Sequence, residues 1–245
     1  MRTTAPAVLV ENLRKRYGGT VAVDDLSLRV DTGEVFGVLG TNGAGKTTTV
    51  EIIAGLRPPD RGRVSVLGLD PRRSRALVRQ VLGVQLQQAT LHGALTVAEL
   101  IALYRSFYPD PRPAEELLDL VGLAEQRGIR FEALSGGQQQ RLSIALALAG
   151  RPRVVILDEL TTGLDPRARR RMWTSIEQLR AEGVTVVLVS HSMAEVERLC
   201  DRVALLDAGR VVALGTPAEL VARAGSVDLD DAFVALTGKE AEEDR

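Results

Sequence analysis

Apolar and polar positions along the chain change rhythm several times, and each rhythm predicts a kind of element. Ala7–Val10 and Val21–Val30 are β-prone, with Leu26, Leu28 and Val30 alternating with polar neighbours as a half-buried strand requires. Val35–Leu39 is a continuous apolar run ending at Gly40, the pattern of a strand covered on both faces. A glycine-rich turn follows, then a helix over Thr47–Leu56 and strands over Val64–Leu67 and Val81–Leu86. Between about 90 and 150 the spacing becomes helical: Thr96–Phe107, Pro113–Val121 with proline at its start, and an Ala/Leu-rich helix over Leu142–Ala149. Alternation then resumes with strand Val154–Leu157, helix Arg167–Arg180, strand Val184–Val189, helix Ala194–Cys200 and strand Val203–Leu206. Strands separated by helices of this length imply a mainly parallel sheet covered on both faces, with an all-helical lobe inserted into it.

Composition narrows the classes. The 245 residues carry a formal net charge of −1, so no global field recruits nucleic acid or anionic lipid. A lone Cys200 and two histidines, His92 and His191, exclude an intramolecular disulfide framework and a multi-histidine metal centre. No apolar run is long enough for a helical bilayer span, and the N-terminal stretch lacks the apolar core of a secretory signal. Lysine occurs only at Lys15, Lys46 and Lys239, which singles out any lysine in a special setting.

Lys46 has such a setting. Gly40-Thr41-Asn42-Gly43-Ala44-Gly45-Lys46-Thr47, followed by Thr48, fits GxxxxGK[ST] in full and lies between a buried strand and a helix. Glycines let successive backbone N–H groups converge on phosphate oxygens, and the helix N-terminus adds positive potential. Lys46 suits the β- and γ-phosphates, and the Thr47 hydroxyl suits Mg²⁺. A second motif, Val154-Val155-Ile156-Leu157-Asp158-Glu159, is an apolar strand ending in two carboxylates. Asp158 suits Mg²⁺; Glu159, pointing elsewhere, could polarise a water for in-line attack on a γ-phosphate.

Leu134-Ser135-Gly136-Gly137-Gln138, continued by Gln139-Gln140-Arg141, opens another helix with an N–H-rich end. In this order after the phosphate loop, the run resembles the LSGGQ signature of ATP-binding cassette (ABC) ATPases. That resemblance spans Val8 to about Val211. It implies an α/β P-loop NTPase core with an N-terminal antiparallel β subdomain and the inserted helical lobe, as one domain over 1–223 with a short C-terminal tail over 224–245. It also implies that ATP is sandwiched between the phosphate loop of one subunit and Ser135, Gly136, Gly137 and Gln138 of a second, head-to-tail copy. Further matches are Tyr17, which would stack on adenine or else be a strand-end core tyrosine, and Gln87, which would contact Mg²⁺ and water. Asp165 matches the loop that communicates between subunits, compatible with capping a helix before Pro166. His191 matches the histidine that touches the γ-phosphate.

One residue departs from the pattern: Leu160 stands where the family usually has proline, restoring an N–H and freeing φ, so a less rigid loop is expected there. With ATP and Mg²⁺ as cofactors, the implied function is a transporter ATPase powering a separate integral-membrane permease, cytoplasmic and peripheral on the inner face of the cell membrane. The stretches Glu197–Val203 and Ser226–Gly238 resemble drug- and antibiotic-efflux cassettes. Leu91, Leu95, Val97, Leu100 and Ile101 would line a permease groove or form lobe core. The alternative function is a soluble non-transport cassette ATPase or a weakly hydrolysing regulatory cassette. Arg72, Arg73, Arg75 and Arg79 read as a solvated helix face or a lipid-facing patch.

Overall fold

The computed structural model describes residues 5–86 and 91–238. Two sheets organise the chain. An antiparallel sheet of order β2-β1-β4 is built from β1 (Val8–Tyr17), β2 (Thr20–Val30) and β4 (Arg61–Val66). The main sheet has the order β5-β6-β7-β3-β8-β9. Its strands are β3 (Val35–Leu39), β5 (Leu82–Gln85), β6 (Val154–Asp158), β7 (Thr185–Ser190), β8 (Arg202–Asp207) and β9 (Arg210–Gly215). All neighbours are parallel except β8 and β9. That hairpin turns on Ala208 and Gly209, both at positive φ (46° and 79°), as a two-residue turn between twisted strands demands.

The central strands explain their uninterrupted apolar sequence. On β3, Val35 and Leu39 enter one hydrophobic core while Phe36 and Val38 enter another. On β6 the same split separates Val155 and Leu157 from Val154 and Ile156. Successive side chains of a strand face opposite ways, so a sheet covered on both sides leaves no polar alternation. One core joins the sheet to α1 (Lys46–Ile53) and to the antiparallel sheet; the other joins it to the helical lobe.

Sequence-local signals set the lobe helices. In α3 (Val97–Arg105) Thr96 and Glu99 form a reciprocal capping box. The next helix, α4 (Ala114–Val121), starts after Pro113, carries Glu115 and Glu116 in its first turn, and stops at Gly122 in the left-handed conformation. Then α5 (Gly136–Ala147) begins at Ser135. Beyond the lobe lie α6 (Pro166–Ala181) and α7 (Met193–Leu199).

Four elements go beyond the periodicity reading: α2 (Arg75–Val81), β9, α8 (Pro217–Ala224) and α9 (Leu229–Thr237). In α2 only Val78 is buried, which leaves no apolar stripe to read. Within the C-terminal stretch, α9 buries Leu229, Ala232 and Phe233 in the lobe-side core.

Of the five residues with two readings as groove or lobe core, Val97, Leu100 and Ile101 are fully buried, and Leu91 and Leu95 pack against the same core. They are lobe core. The four arginines Arg72, Arg73, Arg75 and Arg79 are exposed, and Arg73 pairs with Asp70 at 3.7 Å.

Candidate functional site

Strand register brings the separate motifs together. Val38 of β3 pairs with Val189 of β7, which pairs with Asp158 of β6, and Leu39 pairs with Ser190. The loops leaving β3, β6 and β7 therefore emerge side by side at the carboxyl edge of three adjacent parallel strands, where open α/β sheets bind ligands.

The loop after β3 is the glycine-rich phosphate motif. Its last glycine, Gly45, caps α1 at φ 95°, and a Cβ there would collide with the backbone oxygen of Ala22. At Gly43, φ 79°, a Cβ would meet nothing within 4 Å, so this stretch of backbone faces open space. No side chain caps α1 and no acidic residue occupies its first turn. No side chain of the helix's own first turn therefore competes with an anion at this end. Lys46 Nζ donates to the carbonyl oxygens of Gly40 (2.6 Å) and Thr41 (3.1 Å), folding its charge over the loop. Ala44 is buried, whereas Asn42, Gly43 and Thr47 are exposed and Thr41 and Thr48 are half-buried.

Asp158 ends β6 almost completely buried (2% exposed), and its N–H donates to Gln85 Oε1 at 3.1 Å. Glu159 follows at φ +53°, a left-handed conformation costing an ordinary residue about 1–3 kcal/mol. Two contacts hold it there: its N–H donates to Val189 O (2.9 Å), and Gln140 Nε2 donates to its carbonyl (3.0 Å). From the end of β7, His191 approaches the same carboxylate, with Nδ1 at 3.7 Å from Glu159 Oε1. Leu160 is fully buried in the lobe-side core, so burial anchors the loop at the position where a proline ring would stiffen it.

The signature run starts α5 differently. Ser135 Oγ accepts from Gln138 N (3.3 Å) and Gln138 Oε1 accepts from Ser135 N (2.8 Å), a closed capping box. A Cβ at Gly136 would meet nothing within 4 Å, and one at Gly137 would press on Leu164. Downstream, Arg141 Nη1 donates to Val121 O (2.7 Å) and Gly122 O (2.9 Å), tying the helix to the carbonyl end of α4. Burial, more than neighbouring Arg171, lowers the Arg141 pKa.

Asp165 caps α6, accepting from Arg167 N (2.8 Å) and Ala168 N (3.0 Å). The Ala168 and Arg167 N–H groups hold its carboxyl below the usual carboxylate range. Tyr17 is 40% exposed at the end of β1, so it is not a core tyrosine. Lys15 Nζ and Arg57 Cζ lie 5.5 and 5.6 Å from its ring centroid. His92 is exposed. Gln87 lies outside the described residues.

The sequence of residues 23–162 matches the family described as ABC transporter. The linearmycin resistance ATP-binding protein of Bacillus subtilis is 38% identical over 93% of this chain and 73% of its own length. The chain belongs to the ABC transporter family.

The cassette is also 43% identical, over 88% of its length, to the Nod factor export ATP-binding protein I of Sinorhizobium fredii, of which it spans 64%. Among solved structures, an ATP-binding subunit of an ABC transporter superposes with a TM-score of 0.86, 30% identity, and coverage of 94% of this chain and 99% of that one. A dimeric ATP-binding cassette in a post-hydrolysis state with ADP and Pi superposes at 0.78, with 27% identity and coverage of 85% and 98%. In this cassette, Gln85, Gln140 and Arg141 add supporting contacts that motif reading missed. The signal for Gln85 is the pairing of β5 with β6, which sets it opposite Leu157.

Proposed function

We propose that this cassette is the ATP-hydrolysing subunit of an export-type transporter, working as a head-to-tail homodimer beneath a separate integral-membrane permease. It is a nucleotide-binding ATPase of the ABC family. The observation that carries the site assignment is the register β6-β7-β3, which gathers the phosphate loop, Asp158-Glu159 and His191 at one sheet edge. Export follows from relatives whose names concern antibiotic resistance and Nod factor export. The domain reading of 1–223 with a short 224–245 segment belongs to the same proposal.

In this reading the backbone of Gly40–Gly45 and the open N-terminus of α1 bind the substrate phosphates, with Thr47 and Thr48 at the helix start. Lys46 exchanges the carbonyls of Gly40 and Thr41 for phosphate oxygens. Tyr17, exposed and flanked by cations, receives the adenine. An exposed hydroxyl and a buried carboxylate are hard oxygen donors of the kind Mg²⁺ takes. Thr47 and Asp158, with Gln87, would hold Mg²⁺, which supplies charge neutralisation at the terminal phosphates.

Glu159 accepts the proton of the attacking water, and His191 contacts the γ-phosphate from across the same carboxylate. Ser135, Gly136, Gly137 and Gln138 of the second copy close over the nucleotide, and Asp165 faces that copy.

Among the described residues no helix is long and apolar enough to cross a membrane. In this proposal the permease is a separate partner, as the names of the export relatives suggest, and the cassette sits at the cytoplasmic face. Its dock is a 620 Å³ groove lined by Leu56, Ala76, Arg79, Phe107 and Tyr108, where Leu56 and Phe107 are 55% and 60% exposed. The near-neutral charge favours no nucleic-acid partner.

The deciding experiment is Glu159→Gln in the full chain with Mg-ATP. Turnover should fall by about a hundredfold or more, with an ATP-dependent dimer retained on size-exclusion chromatography. Undiminished turnover would remove Glu159 from its role.

A further inference from the structure

One buried acid is absorbed by none of the motifs. Glu195, in the first turn of α7, is 1% exposed. An acid at that position ordinarily stays in solvent near the helix N–H groups. Here the Ser190 hydroxyl donates to Glu195 Oε2 at 2.6 Å, and Ser190 Oγ in turn accepts from Ser192 N at 3.0 Å. The two bonds span the turn that carries His191, from the last residue of β7 to the cap of α7. Desolvation pushes the Glu195 carboxyl above the usual range, partly offset by Ser190, then Thr161, Trp173 and His191.

Those neighbours come from three directions. Thr161 is buried in the loop two residues after Glu159, and Trp173 belongs to α6, the helix capped by Asp165. Glu195 Oε1 and Trp173 Nε1 are both buried without a completed hydrogen bond among the described residues. A buried acid is a poor stability device, because desolvation offsets much of what its contacts return. Buried polar groups of this kind instead select one arrangement of the elements around them.

We propose that Glu195 is a positioning residue for the catalytic pair: through Ser190 it fixes the turn carrying His191, and against Thr161 and Trp173 it locks that turn to the loop after Glu159 and to α6. This rests on the assignment of Glu159 and His191 above. The acceptor oxygen does the positioning, so glutamine at 195 can serve and alanine cannot.

The test uses the full-length chain as Glu195→Ala, Glu195→Gln, Ser190→Ala and the double alanine variant. Steady-state ATPase and amide hydrogen exchange are measured on each. Glu195→Ala and Ser190→Ala should each lower kcat by about tenfold to a hundredfold, the scale of a small misplacement of reacting groups. KM for ATP should stay within about twofold, and the double variant should be no worse than either single one. Glu195→Gln should recover most of the loss.

Without reference to turnover, Glu195→Ala should speed exchange at Ser192 and also in the Thr161–Leu164 segment. Additive losses, wild-type kcat in a folded Glu195→Ala, or faster exchange confined to α7 would overturn the proposal. Ser190→Ala keeps it falsifiable if Glu195→Ala does not fold. A failure of the underlying assignment looks different: Glu159→Gln would then retain full turnover while the exchange pattern at 190–192 and 161–164 still reports on Glu195.

Discussion

Two helices of this cassette start after glycine-containing motifs, and their N-termini are finished in opposite ways. The start of α1 has a left-handed glycine as its cap, no side-chain cap and no acid in its first turn. The start of α5 is closed on itself by the Ser135–Gln138 box. Four N–H groups at a helix start need partners from outside the helix. At α5 the chain's own side chains supply some of them; at α1 no capping side chain does. In the proposed function the substrate phosphates take that place at the phosphate loop. In the same proposal the signature helix, with the Ser135 and Gln138 N–H groups already paired in the box, presents those of Gly136 and Gly137 to a nucleotide held by another copy.

The strongest way to break this comparison is Lys46→Ala. It should raise the Kd for ATP by about a hundredfold, read by calorimetric titration of the full chain. Unchanged affinity would mean that α1 is no more a phosphate site than α5.

Ser135→Ala sharpens the contrast. Loss of the cap should cost about 1 kcal/mol of unfolding free energy, seen by chemical denaturation, while the Kd for ATP of the monomer stays within about twofold. Turnover, which needs the dimer, should fall. A monomer Kd raised as far as in Lys46→Ala would place both helix ends on one nucleotide within a single copy.

The smallest effect concerns a third helix start, that of α6. The Asp165 carboxyl is held below its ordinary range by the N–H groups it caps. A depressed folded-state pKa contributes stability that is fully present above the unfolded value of about 3.9 and lost as pH falls through the folded one. The Tm advantage of wild type over Asp165→Ala should therefore hold from pH 7 to about 5 and shrink in more acid buffer, by differential scanning calorimetry. A constant difference down to pH 2.5 would show that ionised Asp165 is not the cap.

How legible was this site in the sequence? The motifs needed no fold, because each is a contiguous run whose residue types match one chemistry: Gly43, Gly45 and Lys46 for phosphate, Asp158 and Glu159 for metal and base. The buried strands were legible from their unbroken apolar runs, and α3, α4 and α6 from their apolar spacing and the prolines that open α4 and α6. Other features were not legible. A glutamine such as Gln140 has no local pattern that reveals its bond to the Glu159 carbonyl, nineteen residues away. Val97, Leu100 and Ile101 look the same in sequence whether they line a groove or fill a lobe; only their burial decides.

Local chemistry is encoded in neighbours along the chain, so the sequence alone determined the phosphate loop, the paired carboxylates, the signature run and the alternation of strand and helix. Strand order is encoded in which distant segments bury one another's surfaces. Only the tertiary structure set β7 between β6 and β3, brought His191 to 3.7 Å from Glu159, and buried Glu195 against the Ser190 hydroxyl. Catalytic geometry depends on those long-range packings because each loop inherits its position from the strand that carries it.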